Sequence, residues 1–490
     1  MGNYLFLLPY ISVVIKRGLF FYFSETDILT IIMALAKLEK KFFGTNGVRG
    51  VTGQDMTPIF ALEMSEAYGT FLGPGKTVGI GKDTRTSGDA LGAAVSAGLI
   101  DAGCNVIDFG ILPTPALQYL ILSKKLDGGV MITASHNPAE YNGFKFIDAD
   151  GTELGDDKTI EVEQIYLNKS MVHASWNEVG HLFYDYDSYL IYIDAIVSQF
   201  PVGIGKGISV AIDPGNGAAC RTAPEIFKRL GCDVHVINGE YDGTFPGRLP
   251  EPSEEGLKKL SEEVVKTGSA FGIAHDGDAD RAVFVDEMGR FIDGNIMLAI
   301  LASYFAEQNH GGEIVTTLAS SGVIEAVGKQ FGCKTINTVV GSPYVARTMR
   351  EELDAGKNVF IGGEGNGGII YPSHQFCRDG GMSGATLVGL LATKKTPLSS
   401  YIDSLPKFTM YQEKRMTSRA KEITEHMRSY FVDYPIDNRD GIKIVKGNAW
   451  ALIRPSGTEP LIRVYTESED AAEAKALMDL ILAEITPYLA

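Results

Sequence analysis

From about residue 40 onward, short β-branched apolar runs alternate with longer amphipathic stretches. Both periodicities in one chain point to α/β layers, since a helical bundle or a β-sandwich shows only one of them. Several runs end in polar, glycine-rich loops. Residues 78–81 lead into Lys-Asp-Thr-Arg, 130–132 into Thr-Ala-Ser-His-Asn-Pro, and 208–212 into Asp-Pro-Gly-Asn-Gly. Residues 271–274 lead into His-Asp-Gly-Asp-Ala-Asp-Arg, and 359–362 into Gly-Glu-Gly-Asn-Gly-Gly. Ligands in open α/β sheets bind beyond the carboxyl ends of the strands, so function is expected in these loops. The spacing predicts three consecutive α/β units of roughly a hundred residues each. After about Lys407 the pattern changes to helix, strand, an Arg-Pro-Ser-Gly-Thr-Glu-Pro turn, strand and terminal helix, the outline of a smaller α+β domain. The expected divisions are 39–183, 184–291, 292–405 and 406–490, with 1–38 an extension outside the fold.

The 490 residues carry 44 Lys and Arg against 61 Asp and Glu, a formal charge of −17. That field repels polyanions, so nucleic acid is not an expected partner, and an anionic substrate demands local positive charge in its site. The five cysteines, Cys104, Cys220, Cys232, Cys333 and Cys377, are scattered without a C-x-x-C pair. Neither a disulfide framework nor a zinc site is indicated, and a reducing cytoplasm fits. Residues 5–15 and 19–23 are apolar but are split by Lys16 and Arg17, and Glu25 and Asp27 end the run. A membrane-spanning helix needs roughly 20 apolar residues without such breaks. Ala34-Leu35-Ala36 offers a cleavage-like site for the rival reading as an exported chain, and Met33 an alternative start. The expectation is a cytoplasmic protein with no membrane partner. Oligomeric state is not readable.

Ser135 lies in Thr133-Ala134-Ser135-His136-Asn137-Pro138, where a strand ends and proline blocks continuation, so its hydroxyl is expected to be presented rather than buried. A lone serine here satisfies a turn as readily as it attacks a substrate. Asp276, Asp278 and Asp280 alternate, so on an extended segment their carboxylates fall on one side and offer hard oxygen ligands to a divalent cation. A calcium loop is the rival, because Glu287 stands twelfth counting from Asp276. Against it, Arg281 occupies the glycine position and residues 282–285 continue as a strand. Arg281 beside such a cluster suits phosphate oxygens. The turn Arg454-Pro-Ser456-Gly457-Thr458-Glu-Pro460 combines a guanidinium, hydroxyls and open backbone amides, the chemistry of an anion cradle or else of an ordinary hairpin turn. In Gly363-Glu364-Gly-Asn366-Gly-Gly, a carboxylate and an amide on a flexible loop suit sugar hydroxyls, with a plain strand-end turn as the alternative. Gly75-Lys76-Thr77 lacks the upstream glycine of a P-loop, and at Gly215-Asn216-Gly217 the third glycine of a dinucleotide fingerprint is replaced by Cys220. Neither a nucleoside triphosphate nor a nicotinamide cofactor is implied.

Together, Phe43-Gly-Thr-Asn-Gly-Val-Arg49-Gly50, the Ser135 loop, the Asp276 loop, the Glu364 loop and the Arg454 turn resemble the α-D-phosphohexomutase superfamily, in that order and over residues 40–490. The resemblance implies three α/β domains with mixed sheets flanked by helices and a smaller α+β domain around a central cleft. It implies a phosphorylated Ser135, with His136 beside it, and magnesium held by Ser135, Asp276, Asp278 and Asp280. Arg49 and Lys145 match acid/base positions. Glu364 and Asn366 match a sugar-recognition loop, and Arg454, Ser456, Gly457 and Thr458 a phosphate-binding loop. The implied reaction interconverts hexose 6- and 1-phosphates through a hexose 1,6-bisphosphate. Arg49, Arg85, Lys145, Arg281 and Arg454 would supply the local positive charge, and Lys145 becomes a proton shuttle if burial lowers its pKa. The Glu364 loop is most like archaeal-type phosphoglucosamine mutases, so glucosamine phosphate is the expected substrate, with mannose or glucose phosphate as alternatives. Thr317 and Ser342 stand where some phosphomannomutases carry Lys and His. A phosphatase using Ser135 as transient acceptor and a metal-dependent sugar-phosphate binder are the other readings.

Overall fold

The computed structural model describes residues 40–44, 47–309, 311–456 and 460–489. The expectations for residues 1–38, Gly457 and Thr458 lie outside them. All four sheets lie within Phe42–Ala490.

The first sheet holds β1 (Val48–Val51), β2 (Thr77–Lys82), β3 (Asn105–Ile111), β4 (Gly128–Ile132), β5 (Tyr141–Asp148) and β6 (Leu182–Tyr184) in the order β1-β5-β4-β2-β3-β6. The second holds β7 (Ser209–Asp213), β8 (Asp233–Val236), β9 (Phe271–His275), β10 (Ala282–Asp286) and β11 (Phe291–Ile292) in the order β11-β10-β9-β7-β8. The third holds β12 (Glu313–Thr317), β13 (Lys334–Thr338), β14 (Val359–Gly363), β15 (Ile369–Tyr371) and β16 (Gln375–Arg378) in the order β13-β12-β14-β15-β16. One four-strand order recurs in all three: β5-β4-β2-β3, β10-β9-β7-β8 and β15-β14-β12-β13. In each, the first three strands in chain order are parallel and the fourth returns antiparallel. Parallel pairs need crossover connections, which the helices Gly88–Asp101, Thr114–Lys124, Ala219–Leu230, Lys258–Thr267, Gly322–Gln330 and Ser342–Asp354 supply. Strands covered on both faces read as unbroken apolar runs, and β4, β9 and β14 are buried along their whole length.

The topology sets where chemistry collects. The turn from the last parallel strand to its antiparallel neighbour carries Ser135 in the first sheet, Asp276 to Asp280 in the second and Glu364 in the third. A single apolar core runs through these three layers, joining Phe109 and Leu117 to Ile212, Phe227 and Ile273 and on to Met382 and Leu387. The helix Gly380–Lys394 anchors this core, its start capped by Asp379, which accepts from the Met382 amide and from the Tyr192 hydroxyl.

The last sheet is wholly antiparallel: β17 (Thr409–Met416), β18 (Ile436–Asp437), β19 (Ile442–Lys446), β20 (Ala449–Pro455) and β21 (Leu461–Ser468) in the order β17-β21-β20-β19-β18. It packs on the helices Ala420–Tyr430 and Ala471–Ile485 around its own core of Ile423, Met427, Ile453, Val464 and Ile481. No helix of the described residues is long and apolar enough to cross a membrane.

Candidate active site

Ser135 follows β4 with a left-handed backbone, φ 51°, and its amide is held by the Thr133 hydroxyl at 2.8 Å. Contrary to the expectation of a presented hydroxyl, it is buried at 1% exposure, because the turn after β9 closes over it. A Cβ on Gly277 would lie 2.5 Å from the Ser135 carbonyl oxygen, so only glycine permits that approach. The hydroxyl donates to Asp276 Oδ2 at 2.9 Å and lies 3.3 Å from His136 Nδ1 and 3.4 Å from Arg281 Nη2. Burial, Arg281 and Arg49 hold His136 well below the ordinary imidazole pKa, so the ring is neutral.

The three aspartates converge as the motif predicts, but not on an extended segment. The Ala279 amide donates back to the Asp276 carbonyl and Ala279 itself takes φ 59°, so the chain turns between Asp276 and Asp280. The carboxylates are fully buried, with ligand oxygens all within 4.8 Å of one another. Asp276 accepts from the Arg281 amide and side chain, each at 3.1 Å. Asp278 Oδ2 accepts from Thr114 at 2.6 Å and from Lys145 at 2.9 Å, and Asp280 Oδ2 from Lys145 at 3.1 Å and Arg378 at 2.5 Å. The other oxygens of Asp278 and Asp280 accept no hydrogen bond. Buried carboxylate oxygens without a partner, in an all-oxygen set, fit a hard divalent cation such as magnesium. Burial and the two neighbouring carboxylates push Asp276 up to about 7. Against the opposing effect of burial, Lys145 and the Thr114 hydroxyl pull Asp278 far below the carboxylate range. Glu287, which the calcium-loop reading needs, instead accepts from the Ser399 amide and hydroxyl.

Lys145 reverses its expectation. Burial alone would lower its pKa, but Asp278, Asp280 and Glu153 face the ammonium and raise it above the usual lysine value. Arg49 donates to Asn137 Oδ1 at 3.0 Å, beside the serine loop. Arg85 does not face a substrate position. Its guanidinium is buried against Asp83 and the carbonyls of the Ser135 loop, so it shapes that loop.

Glu364 joins the cluster through Arg378, which lies 3.4 Å from it and also holds Asp280. Asn366 donates to Glu364 at 3.5 Å and accepts from the Gly368 amide at 3.0 Å. Gly367, at φ 89°, passes so close to β10 that a Cβ would meet the Ala282 carbonyl at 2.4 Å. Arg454 is on β20, 3.0 Å from Asp440. No hydrogen bond or ion pair among the described residues joins it to Ser135, the aspartates or Glu364.

Family models for phosphoglucomutase/phosphomannomutase match in four pieces: α/β/α domain I at residues 40–173, domain II at 190–289, domain III at 293–408 and the C-terminal domain at 412–484. The chain belongs to the phosphoglucomutase/phosphomannomutase family. It is 41% identical to a phosphoglucomutase/phosphomannomutase of Thermococcus kodakarensis, over 90% of this chain and 97% of that protein. It is 36% identical to the phosphoglucosamine/phosphogalactosamine mutase of Sulfurisphaera tokodaii, over 90% of this chain and 98% of that one. The crystal structure of a family member from Burkholderia thailandensis superposes with a TM-score of 0.80 at 25% identity, covering 91% of this chain and 97% of that one. The chain is therefore a phosphohexomutase, an isomerase that moves a phosphoryl group within a hexose phosphate.

The enzyme's cluster contains groups that the motifs do not reveal. Thr114 opens the helix after β3, and its amide also donates to the Asp278 carbonyl at 2.9 Å. Arg378 ends β16. Glu251 pairs with Arg281 at 3.2 Å and lies 3.7 Å from His136. Glu153, raised in pKa by burial, lies 3.8 Å from Lys145. Arg248 reaches the Asp213 carboxylate at 2.9 Å and the His275 carbonyl at 2.6 Å, directly before Asp276. The one sequence signal for it is Asp213 at the end of β7, a buried carboxylate in need of a cation.

Proposed function

We propose that the enzyme works through phospho-Ser135 with magnesium at Asp276, Asp278 and Asp280, and that glucosamine 6-phosphate and glucosamine 1-phosphate are its preferred pair. The carrying observation is the Ser135 hydroxyl 2.9 Å from a buried aspartate whose two partners keep unbonded oxygens. Magnesium there would neutralise charge on the transferring group. The bond from phosphorus to Ser135 Oγ breaks as the bond to a sugar hydroxyl forms, giving a hexose 1,6-bisphosphate. In the second half the other phosphate returns to Ser135. The sugar hydroxyl must lose its proton on attack. Neither His136, held beside Ser135 Oγ far below the range of an effective base, nor Lys145, a charged strut between Asp278 and Asp280, is poised to take it. Arg281 and Arg49 lie at the serine and suit phosphate oxygens, Glu364 and Asn366 suit sugar hydroxyls, and Arg454, Ser456, Gly457 and Thr458 the distal phosphate. The division into domains at 39–183, 184–291, 292–405 and 406–490 belongs to the same proposal.

Mannose and glucose phosphates form the second reading, favoured by the relative named for both at 41% identity. Phosphorus NMR of the enzyme with magnesium and each hexose 1-phosphate separates the readings. Conversion to 6-phosphate with the highest kcat/KM on glucosamine supports the first, and a higher value on mannose or glucose supports the second. Release of inorganic phosphate without isomer, or no change in any sample, refutes both.

A further inference from the structure

A second cluster of ligand-type side chains sits away from the catalytic loops. Glu66 lies within the helix Pro58–Leu72, Asp101 ends the helix Gly88–Asp101, and His173 follows the helix Asp156–Leu167. Asp101 precedes β3, at the amino ends of the parallel strands, whereas Ser135 stands beyond their carboxyl ends; the two sites occupy opposite edges of the first sheet.

Glu66 is 4% exposed and its Oε1 accepts no hydrogen bond. His173 Nδ1 is 2.7 Å from that oxygen and 2.6 Å from Asp101 Oδ2. A ring nitrogen carries at most one hydrogen, and the hydrogen bond it makes runs to Asp101. The buried Glu66 oxygen is thereby left with an ion pair to the ring and no hydrogen bond. A divalent cation would answer all three groups at once, with the two carboxylates and a neutral imidazole as donors. The geometry is already assembled. The Val172 amide donates to Thr70 at 2.9 Å and the Ala174 amide to the Asp101 carbonyl at 2.7 Å, which pins residue 173 across the two helices. His173 is exposed and Asp101 half-buried, giving an ion a way in and leaving coordination positions for water.

We propose that Glu66, Asp101 and His173 form a binding site for a divalent transition ion, zinc by donor type, that braces the helices of the first domain and is distinct from the catalytic cation. One nitrogen and two carboxylates suit zinc better than the oxygen-only triad does, and magnesium favours the latter. With bonds of about 2.0–2.2 Å, the ion would spread the donors to about 3 Å apart, a small movement for an exposed ring.

Calorimetric titration of zinc into the full chain, kept in saturating magnesium to occupy the aspartate triad, tests this. The wild type is expected to bind one equivalent that raises its melting temperature. His173→Ala and Glu66→Gln are each expected to lose about tenfold or more in affinity, along with the zinc-dependent rise in melting temperature. His173→Ala removes only an exposed ring, and its turnover with magnesium is expected to equal the wild type's. Wild-type affinity in either variant, or no zinc binding to the wild type, overturns the proposal.

Discussion

Replacing Arg85 with lysine tests whether the geometry of the Ser135 loop, apart from its chemistry, limits turnover. The buried guanidinium donates to five acceptors: Asp83 Oδ2 at 3.0 Å and the carbonyls of Ser135 at 2.9 Å, Asn137 at 2.6 Å, Pro138 at 2.5 Å and Tyr141 at 2.8 Å. An ammonium has three hydrogens, so at least two of these acceptors lose their donor. A buried acceptor left bare costs about 1–3 kcal/mol, which places roughly 2–6 kcal/mol against the loop as it stands. The loop shifts to recover part of this. A displacement of about 1 Å at a reacting group lowers rate about a hundredfold, and that is the expected loss in kcat. Arg248→Lys is the matched control, since Arg248 holds the His275 carbonyl at 2.6 Å on the metal-side loop. Steady-state kinetics with a magnesium titration should show Arg85→Lys depressing kcat at an unchanged half-activating magnesium concentration. Arg248→Lys should raise that concentration. Turnover within twofold of wild type in Arg85→Lys, or equal magnesium shifts in the two variants, refutes the assignment of one clamp to each loop.

Ser135→Ala should abolish isomerisation and phosphate incorporation while magnesium still binds; phosphate found on the variant by mass spectrometry would remove Ser135 as the carrier. Asp278→Asn should raise half-activating magnesium about tenfold or more, and an unchanged titration would take Asp278 out of the ion's ligands. Lys443, pushed down to about 8 chiefly by burial, lies below its unfolded value of about 10.4. Between those pH values the unfolded chain binds more protons, so stability from this group rises with pH across the window, by at most about 1.4 kcal/mol per unit. Lys443→Met should flatten that rise in melting temperature from pH 8 to 10, and parallel curves for the two proteins would contradict the shift.

The legible parts of the site were those confined to one short stretch of chain. Ser135 and the aspartate triad could be read because a strand-end turn brings them together locally. Arg378, Thr114 and Glu251 come from three other elements, and nothing beside them in sequence marks their arrival at Asp280, Asp278 and Arg281. Arg85 and Lys145 were seen but misjudged. Residue type gives a charge without its direction, and burial of Lys145 says nothing of the carboxylates buried with it. The alternation of runs conveyed the α/β layers and the change after Lys407. It could not convey the repeated strand order, which lies in pairing and has no counterpart in residue identity.

That repeated order explains why three dissimilar loops make one site. Each domain turns from its last parallel strand to an antiparallel one at the same place, and the shared core of Phe109, Phe227 and Leu387 holds the three turns in fixed relation. The fourth domain is joined differently. Polar contacts bind it to the third: Glu467 to the Gly322 amide at 2.8 Å, Asp440 to the Val340 amide at 3.0 Å, Arg439 to the Asn337 carbonyl at 2.6 Å and Lys443 to the Leu318 carbonyl at 2.7 Å. A small apolar contact of Leu318, Leu452 and Tyr465 accompanies them. Water replaces such hydrogen bonds at about 0.5–1.5 kcal/mol each, whereas parting the first three domains would expose a continuous apolar core at about 25 cal/mol per Å². If the proposed mechanism holds, its bisphosphate needs room to turn end over end, and the join that opens at least cost is the one between the third and fourth domains.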